Sequence, residues 1–191
     1  MTVTVHPLTA ARWRDFEALF GPRGACAGCW CMYYRLPGKQ FHAGKGAKNK
    51  RAMKKIVDGG EIPGLLAYVD GVPAGWVSMA PRESFPRLER SRVLARVDDR
   101  PVWSVVCFFV HKDHRKRGLT GRLLDAAAAW AGRQGAALVE GYPLDTAKEV
   151  PSVFAWNGFL GAFERARFEE VARRSPARPI VRRRLERGKG A

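Results

Sequence analysis

At 191 residues, with 46% apolar and 27% charged residues, the chain has room for one globular domain with a real core and lacks the composition of a disordered segment. No apolar run reaches the roughly eighteen residues that a membrane helix needs, and the start of the chain shows no leader pattern, so a cytoplasmic protein with no membrane partner is expected. A formal charge of +16 attracts polyanions: nucleic acid, an acidic surface or a phosphorylated ligand.

The charge is concentrated at Lys45–Lys55, at Arg115–Arg122 and at Arg173–Lys189. The last concentration reads as a solvated basic tail from about residue 185, and nucleic-acid binding is not the expected main function. Cys26, Cys29 and Cys31 are crowded together while Cys107 lies in an apolar run, which is not the spacing of a secreted disulfide framework.

Val3 and Val5 alternate with polar residues and predict a first strand. Thr9 is placed to cap a helix whose Trp13, Phe16, Leu19 and Phe20 fall on one stripe, ended by Gly21 and Pro22. Trp30–Leu36 (WCMYYRL) is rich in strand formers and predicts a strand closed by Pro37-Gly38. A basic, glycine-spaced loop and a helix near Asn49–Val57 follow. Leu65–Val69 and Ala74–Met79 flank Asp70-Gly71 as a hairpin.

Pro101–Val110 (PVWSVVCFFV) is apolar on both faces, as a central covered strand should be. A sharp basic turn leads to a helix with Leu119, Leu123, Ala127 and Trp130 at helical spacing, ended by Gly135. Ala137–Tyr142 reads as the next strand, followed by a helix near Gly158–Ala166 and strands near Phe168–Ala172 and Pro179–Arg184. This order predicts an α/β fold, a mixed sheet flanked by helices with one right-handed crossover, in a single domain spanning residues 1–191.

The segment His114–Leu124 (HRKRGLTGRLL) joins the central strand to the amphipathic helix. Backbone N–H groups at a helix start are unpaired and lie at the positive end of the helix dipole. Gly118 and Gly121 keep side chains away from those donors, and Arg115, Lys116, Arg117 and Arg122 add charge around them. Such a turn is suited to a phosphate; a structural turn with a solvated basic face would look similar.

Phe108-x-Val110, then Arg115-x-x-Gly118-x-Thr120, then Leu123-Leu124, resembles the coenzyme-binding motif of the GNAT superfamily of N-acetyltransferases. The resemblance extends over most of the chain, including PGLLAYVDG at 63–71 and FERARFEEVARR at 163–174. It implies a strongly twisted mixed sheet, splayed between the fourth and fifth strands, where acetyl-CoA is held as co-substrate. It further implies that the backbone of Phe108, Phe109 and Val110 pairs with the pantetheine arm, and that one of those N–H groups polarises the thioester carbonyl. Arg115, Lys116, Arg117, Gly118, Leu119, Thr120, Gly121 and Arg122 would hold the pyrophosphate. A homodimer is common among such proteins.

Three positions depart from the pattern. Thr120 stands where glycine or alanine is usual, Arg167 stands where a glycine usually precedes the phenylalanine, and Phe163 occupies the place of the tyrosine that protonates the departing thiolate. The acid and base must therefore be sought elsewhere. Glu140 is the acidic residue inside an otherwise apolar strand beside the motif strand, and is the candidate general base; Tyr142, on the same face, is the candidate acid. The alternative for Glu140 is a structural carboxylate paired with one of the many arginines.

Cys107 invites an acyl-enzyme reading, although a cysteine in a buried strand commonly serves as a small apolar residue. Cys26, Cys29 and Cys31, with His42 as a fourth ligand, suggest a metal site, but two well-spaced ligand pairs are missing and no metal is expected. The segment GCWCM resembles one found in a subgroup of GNAT-like proteins of unassigned substrate, which gives it no role. Trp30, Tyr33, Trp76 and Trp103 are candidates for an aromatic wall around an acceptor. The expected function is N-acetyl transfer from acetyl-CoA to a primary amine of a small molecule or protein; the alternative is a non-catalytic module of this fold that binds acyl-CoA or nucleic acid.

Overall fold

A computed structural model describes residues 1–151 and 153–185; most of the basic tail expected from about residue 185 lies outside the described residues. Seven strands form one mixed sheet: β1 (Val3–Pro7), β2 (Gly64–Val69), β3 (Val72–Pro81), β4 (Trp103–Val110), β5 (Leu138–Gly141), β6 (Glu169–Arg173) and β7 (Pro179–Arg184). Their spatial order is β1-β2-β3-β4-β5-β7-β6, with β4 and β5 parallel and every other pair antiparallel. Asp70 and Gly71 turn β2 into β3 with φ of 48° and 84°, the left-handed pair that a tight hairpin needs.

The helices are α1 (Trp13–Phe20), α2 (Gly38–Ala43), α3 (Ala47–Asp58), α4 (Pro86–Glu89), α5 (Leu119–Arg133) and α6 (Leu160–Arg165). The helix α5 is the crossover between the parallel strands, and it buries Leu119, Leu123, Leu124, Ala127, Ala128 and Ala131 on one stripe. That stripe packs with Leu65, Val77, Val105 and Phe163 in the core on one face of the sheet. On the other face α1 and α3 cover Leu66, Tyr68 and Trp76, with Phe16 and Phe20 beneath Trp30. A third cluster gathers Tyr34, Phe85, Leu88, Val106 and Tyr142 under α4. Among the described residues, no helix is long and apolar enough to cross a membrane.

Two sequence expectations fail in the N-terminal half. Trp30–Leu36 is not a strand but a series of turns, in which Trp30 and Cys31 have positive φ, as do Ala25 and Ala27 just before it. Trp30 is held by burial against α1, Tyr33 against Phe41 and Trp156, and Tyr34 in the cluster of Phe85 and Leu88, rather than by a ladder, so strand propensity is overridden by packing. Thr9 caps no helix through its side chain; it precedes a short 3-10 turn at Ala10–Arg12, from which α1 starts. The basic loop also contains α2, whose Phe41 is buried.

The parallel pairing of β4 and β5 covers only Trp103–Val105 against Val139–Gly141. Beyond it β4 continues alone on that edge. A bulge lies at Val106, between the Ser78–Cys107 and Met79–Val105 pairs. In place of β5, Trp156 and Asn157 meet the free edge: the Phe108 N–H donates to the Trp156 carbonyl at 2.6 Å, and Asn157 Nδ2 donates to the Val106 carbonyl at 3.0 Å. The sheet is thus wedged open where β4 leads into the basic turn.

Candidate functional site

The opened edge forms one wall of a cleft of about 820 Å³. Phe108, Phe109 and Val110 line it, followed by the turn and the first residues of α5; the segment carrying Trp156 and Phe159, with α6, makes the opposite wall. Alternation along a strand puts the Val110 N–H on the same edge as the Phe108 N–H. Phe108 is already satisfied by Trp156, which leaves Val110 as the donor facing the cleft.

The turn is built for an anion. Gly118 caps α5 in the left-handed conformation at φ 75°, and Lys116 precedes it at φ 59°. Among the described residues, the backbone N–H groups from Lys116 to Gly121 have no protein acceptor. Six successive donors at the start of a 15-residue helix, rimmed by cations, form a preorganised anion cradle. Arg115 Nε donates to the Val110 carbonyl at 3.1 Å, tying the turn to the strand while its guanidinium stays at the cleft. A methyl group built at Gly118 or Gly121 would meet nothing within 4 Å, so Gly118 is required for its backbone angle and not for space. These features fit a coenzyme pyrophosphate with a pantetheine arm running along β4.

Of the residues marked in the sequence for the coenzyme, Phe108, Phe109, Val110, Arg115, Lys116, Gly118, Leu119, Thr120 and Gly121 line the cleft. Arg117 and Arg122 are exposed and do not; Arg122 falls outside the stripe that α5 turns to the sheet. The cleft is also lined by Cys26 and His114, which the sequence did not assign to the coenzyme, and by the wall formed by Trp156 and Phe159. The apolar run around Trp156, following a polar loop, was the available signal for that wall. Trp30, Tyr33, Trp76 and Trp103 are absent from the cleft lining, and Trp30 and Trp76 are core residues exposed by 4% and 0%.

Glu140 and Tyr142 are brought together, but away from the cleft. Ser104, Glu140 and Arg182 stand side by side across β4, β5 and β7. Glu140 Oε1 accepts from Arg82 Nη1 at 2.9 Å and from the Tyr142 hydroxyl at 2.6 Å, while Oε2 accepts from Arg182 Nε at 2.7 Å. The Tyr142 hydroxyl accepts from Arg82 Nη1 at 2.8 Å and lies 2.7 Å from Ser104 Oγ. Glu140 is wholly buried, and Tyr142 nearly so.

A base must meet the proton it removes and have a lone pair to receive it. Glu140 does not line the cleft and is held between Arg82 and Arg182, which is the place of the structural carboxylate paired with arginine that the sequence left as the alternative. Burial and the neighbouring Glu140 charge push the Tyr142 hydroxyl well above its usual range, and its proton is already given to Glu140. Tyr142 does not line the cleft either.

Phe163, at the position of the usual acid, is fully buried, with Phe108 and Phe168 edge-on to its ring. Among the described residues, no group of three or more His, Cys, Asp or Glu side chains is arranged to hold a metal ion.

The sequence model of the acetyltransferase (GNAT) family matches residues 30–144. A search of curated proteins by sequence finds no match. In structure the chain is similar to a GNAT-family acetyltransferase from Streptococcus agalactiae 2603, at 10% identity over 96% of each chain with a TM-score of 0.57. It is also similar to the PaiA N-acetyltransferase from Thermoplasma acidophilum, solved in complex with coenzyme A, at 11% identity over 97% of this chain and 100% of that one, with a TM-score of 0.52. The GNAT domain of S. lividans PAT is similar at 18% identity, over 97% of this chain and 92% of that one, with a TM-score of 0.53. At such identities these likenesses are of fold.

Proposed function

Because the chain belongs to the acetyltransferase (GNAT) family, we propose that it transfers an acetyl group from acetyl-CoA directly to a primary amine of a small molecule or a protein. The observation that carries this reading is the continuity of one cleft from the free N–H groups at 116–121 to the unpaired edge of β4. The turn binds the pyrophosphate, with Arg115 and Lys116 adding charge. The β4 edge takes the pantetheine arm as an added strand, and the Val110 N–H pairs with it. Trp156 and Phe159 exclude water from the opposite side.

With Glu140 and Tyr142 locked in their own network, the chain supplies no side-chain acid or base from the positions its motif suggests. The ammonium proton of the acceptor passes to water held against the backbone, and the departing thiolate is protonated from solvent. The test is turnover of acetyl-CoA across a panel of amines, followed by thiol release, with coenzyme affinity measured on the same preparation. Turnover with at least one amine is expected; tight coenzyme binding without turnover on any amine would overturn the enzymatic reading.

The buried Phe163 and the buried, arginine-paired Glu140 favour a second reading, in which the domain binds acyl-CoA as a sensor without catalysis. It predicts that second result of the same experiment.

A further inference from the structure

Beyond the coenzyme cleft, the turns that replace the expected strand carry Cys31 into a buried cluster against which Cys107, beside the bulge of β4, packs. The environment of the Cys31 sulfur is that of an anion. Trp76 Nε1 donates to Cys31 Sγ at 3.1 Å, a short approach for an acceptor as large as sulfur. Cys107 packs against the same buried cluster as Cys31 and is the partner of Ser78 across β3 and β4; its thiol lies 3.8 Å from the Phe108 carbonyl, and the Ser78 hydroxyl donates to the Pro63 carbonyl at 3.5 Å.

The charge of Arg35 also acts on Cys31, and Glu61 is its acidic neighbour. Arg35 is buried, and its guanidinium donates only to carbonyl oxygens, of Pro63 at 3.1 Å and Met79 at 3.5 Å; its Nε has no partner among the described residues. A buried guanidinium is costly unless a negative charge compensates it. Although burial opposes the charged form, the neighbouring Cys107, Trp76 and Ser78 side chains and the Arg35 charge bring the Cys31 thiol below its usual range.

The backbone is held to this arrangement under strain, since Trp30 and Cys31 are consecutive residues at φ 47° and 58° without being glycine. Cys107 stays a thiol, raised by its neighbour Cys31 and by burial. Cys29, half-buried in the same segment, is pushed up to about 11, first by burial and then by Cys31.

We propose that Cys31 and Cys107 are a thiol pair that hydrogen peroxide oxidises reversibly to a disulfide, joining the segment at 25–36 to the coenzyme strand. The Cys31 thiolate attacks one peroxide oxygen, the O–O bond breaks, and hydroxide leaves and is protonated to water. Cys31 is then a sulfenic acid. Cys107 sulfur attacks it, giving up its proton as the S–S bond forms and a second water leaves. Each sulfur loses one electron, and the peroxide is reduced to two waters. Cys31 is 5% exposed, so a small oxidant is selected over a bulky disulfide. Because Cys107 precedes Phe108 on β4, the bond forms at the residue next to the cleft.

The proposal stands apart from acetyl transfer and is tested without it. The reduced full-length protein is treated with equimolar hydrogen peroxide, quenched with an alkylating agent, digested and mapped by mass spectrometry. A Cys31–Cys107 linked peptide that forms in the wild type and in Cys29→Ser, and that disappears on thiol reduction, is expected. In Cys107→Ser, treated with several equivalents of peroxide, Cys31 should instead accumulate as sulfinic acid, a readout that needs no second thiol. The proposal is overturned if peroxide links Cys29 to either residue instead, if no linked peptide forms, or if Cys31 in Cys107→Ser is oxidised no faster than exposed Cys26. Coenzyme affinity before and after oxidation then reports whether the bond reaches the cleft, and a drop of tenfold or more is expected.

Discussion

Arg82 and Glu140 meet at 2.9 Å with each side chain only 1% exposed, joining the segment after β3 to the strand after α5. Arg82 also donates to Glu89 at 2.8 Å and to the Leu94 carbonyl at 2.7 Å, so one guanidinium anchors the whole of the 82–100 connection. Arg182 carries the network on to Asp98 at 2.7 Å. The ion cluster fixes the connection that crosses from β3 to β4, and with it the short β4–β5 pairing from which the splay begins.

Glu140→Gln should therefore lower stability rather than chemistry. Removing one charge leaves Arg82 and Arg182 buried with less compensation, a loss of about 3–5 kcal/mol for a broken buried pair. Urea denaturation should show the shift, while coenzyme affinity and turnover per folded molecule stay within a few-fold. A hundredfold loss of turnover at unchanged stability would restore Glu140 as the base.

At the turn, Gly118→Glu should abolish coenzyme binding in a folded protein. The carboxylate would stand beside six free N–H groups and repel the phosphates they are set to receive. Gly118→Ala separates charge from backbone: the left-handed angle costs a residue with a Cβ about 1–2 kcal/mol of stability, while affinity falls far less than in the Glu variant. Calorimetry on both variants, with circular dichroism for the fold, checks the placement. Equal affinity in Gly118→Glu and wild type would refute it.

The elements with period and punctuation were legible in the sequence. The continuous apolar run of Pro101–Val110, the helical stripe from Leu119 and the Asp70-Gly71 turn each appear where the sequence places them, because local signals and burial agree there. The splay followed from the motif resemblance and is held by Trp156 and Asn157, which no spacing rule connects to Val106 and Phe108.

Glu140 shows the limit most clearly. A lone carboxylate in an apolar strand signals a buried charge, but its meaning depends on partners. Arg182 arrives through antiparallel pairing of β5 with β7, and Arg82 from a segment 58 residues earlier, in a region where no element was predicted. The cysteine segment fails for the opposite reason: its composition favours a strand, while Trp30 and Cys31 adopt angles that a strand excludes.

Acid should weaken the fold from about pH 4 downward. Glu17 is held low by a hydrogen bond from Lys50, Glu83 by Arg96 and Glu170 by Arg173. Asp98 is held low by Arg100 and then by Arg182. A carboxyl group whose folded pKa is depressed contributes stability above its unfolded value and loses it as pH falls through the folded one. The unfolded values are 4.5 for Glu and 3.8 for Asp, so the loss begins just above pH 4 and continues below it. Urea midpoints measured across this range should fall with pH, and less steeply in high salt, because these pairs are exposed and screened. A flat profile would mean that they contribute nothing measurable.

Phe163→Tyr tests whether the missing acid is a matter of one hydroxyl. Were the ring poised at the cleft, adding the oxygen would supply a proton donor and raise turnover. The packing argues otherwise. Phe163 is fully buried, and a Cβ at Gly141 would overlap its Cε1 and lie 3.0 Å from its Cζ, so the ring edge that would carry the hydroxyl is pressed against β5. A hydroxyl forced in there has no partner, and an unsatisfied buried donor costs about 1–3 kcal/mol. The expected outcome is a lower urea midpoint with turnover unchanged or reduced, using an amine identified by the panel. A gain in turnover of tenfold or more, with an acidic limb appearing in its pH profile, would show that the ring leaves the core during the reaction and that this position still belongs to the active site.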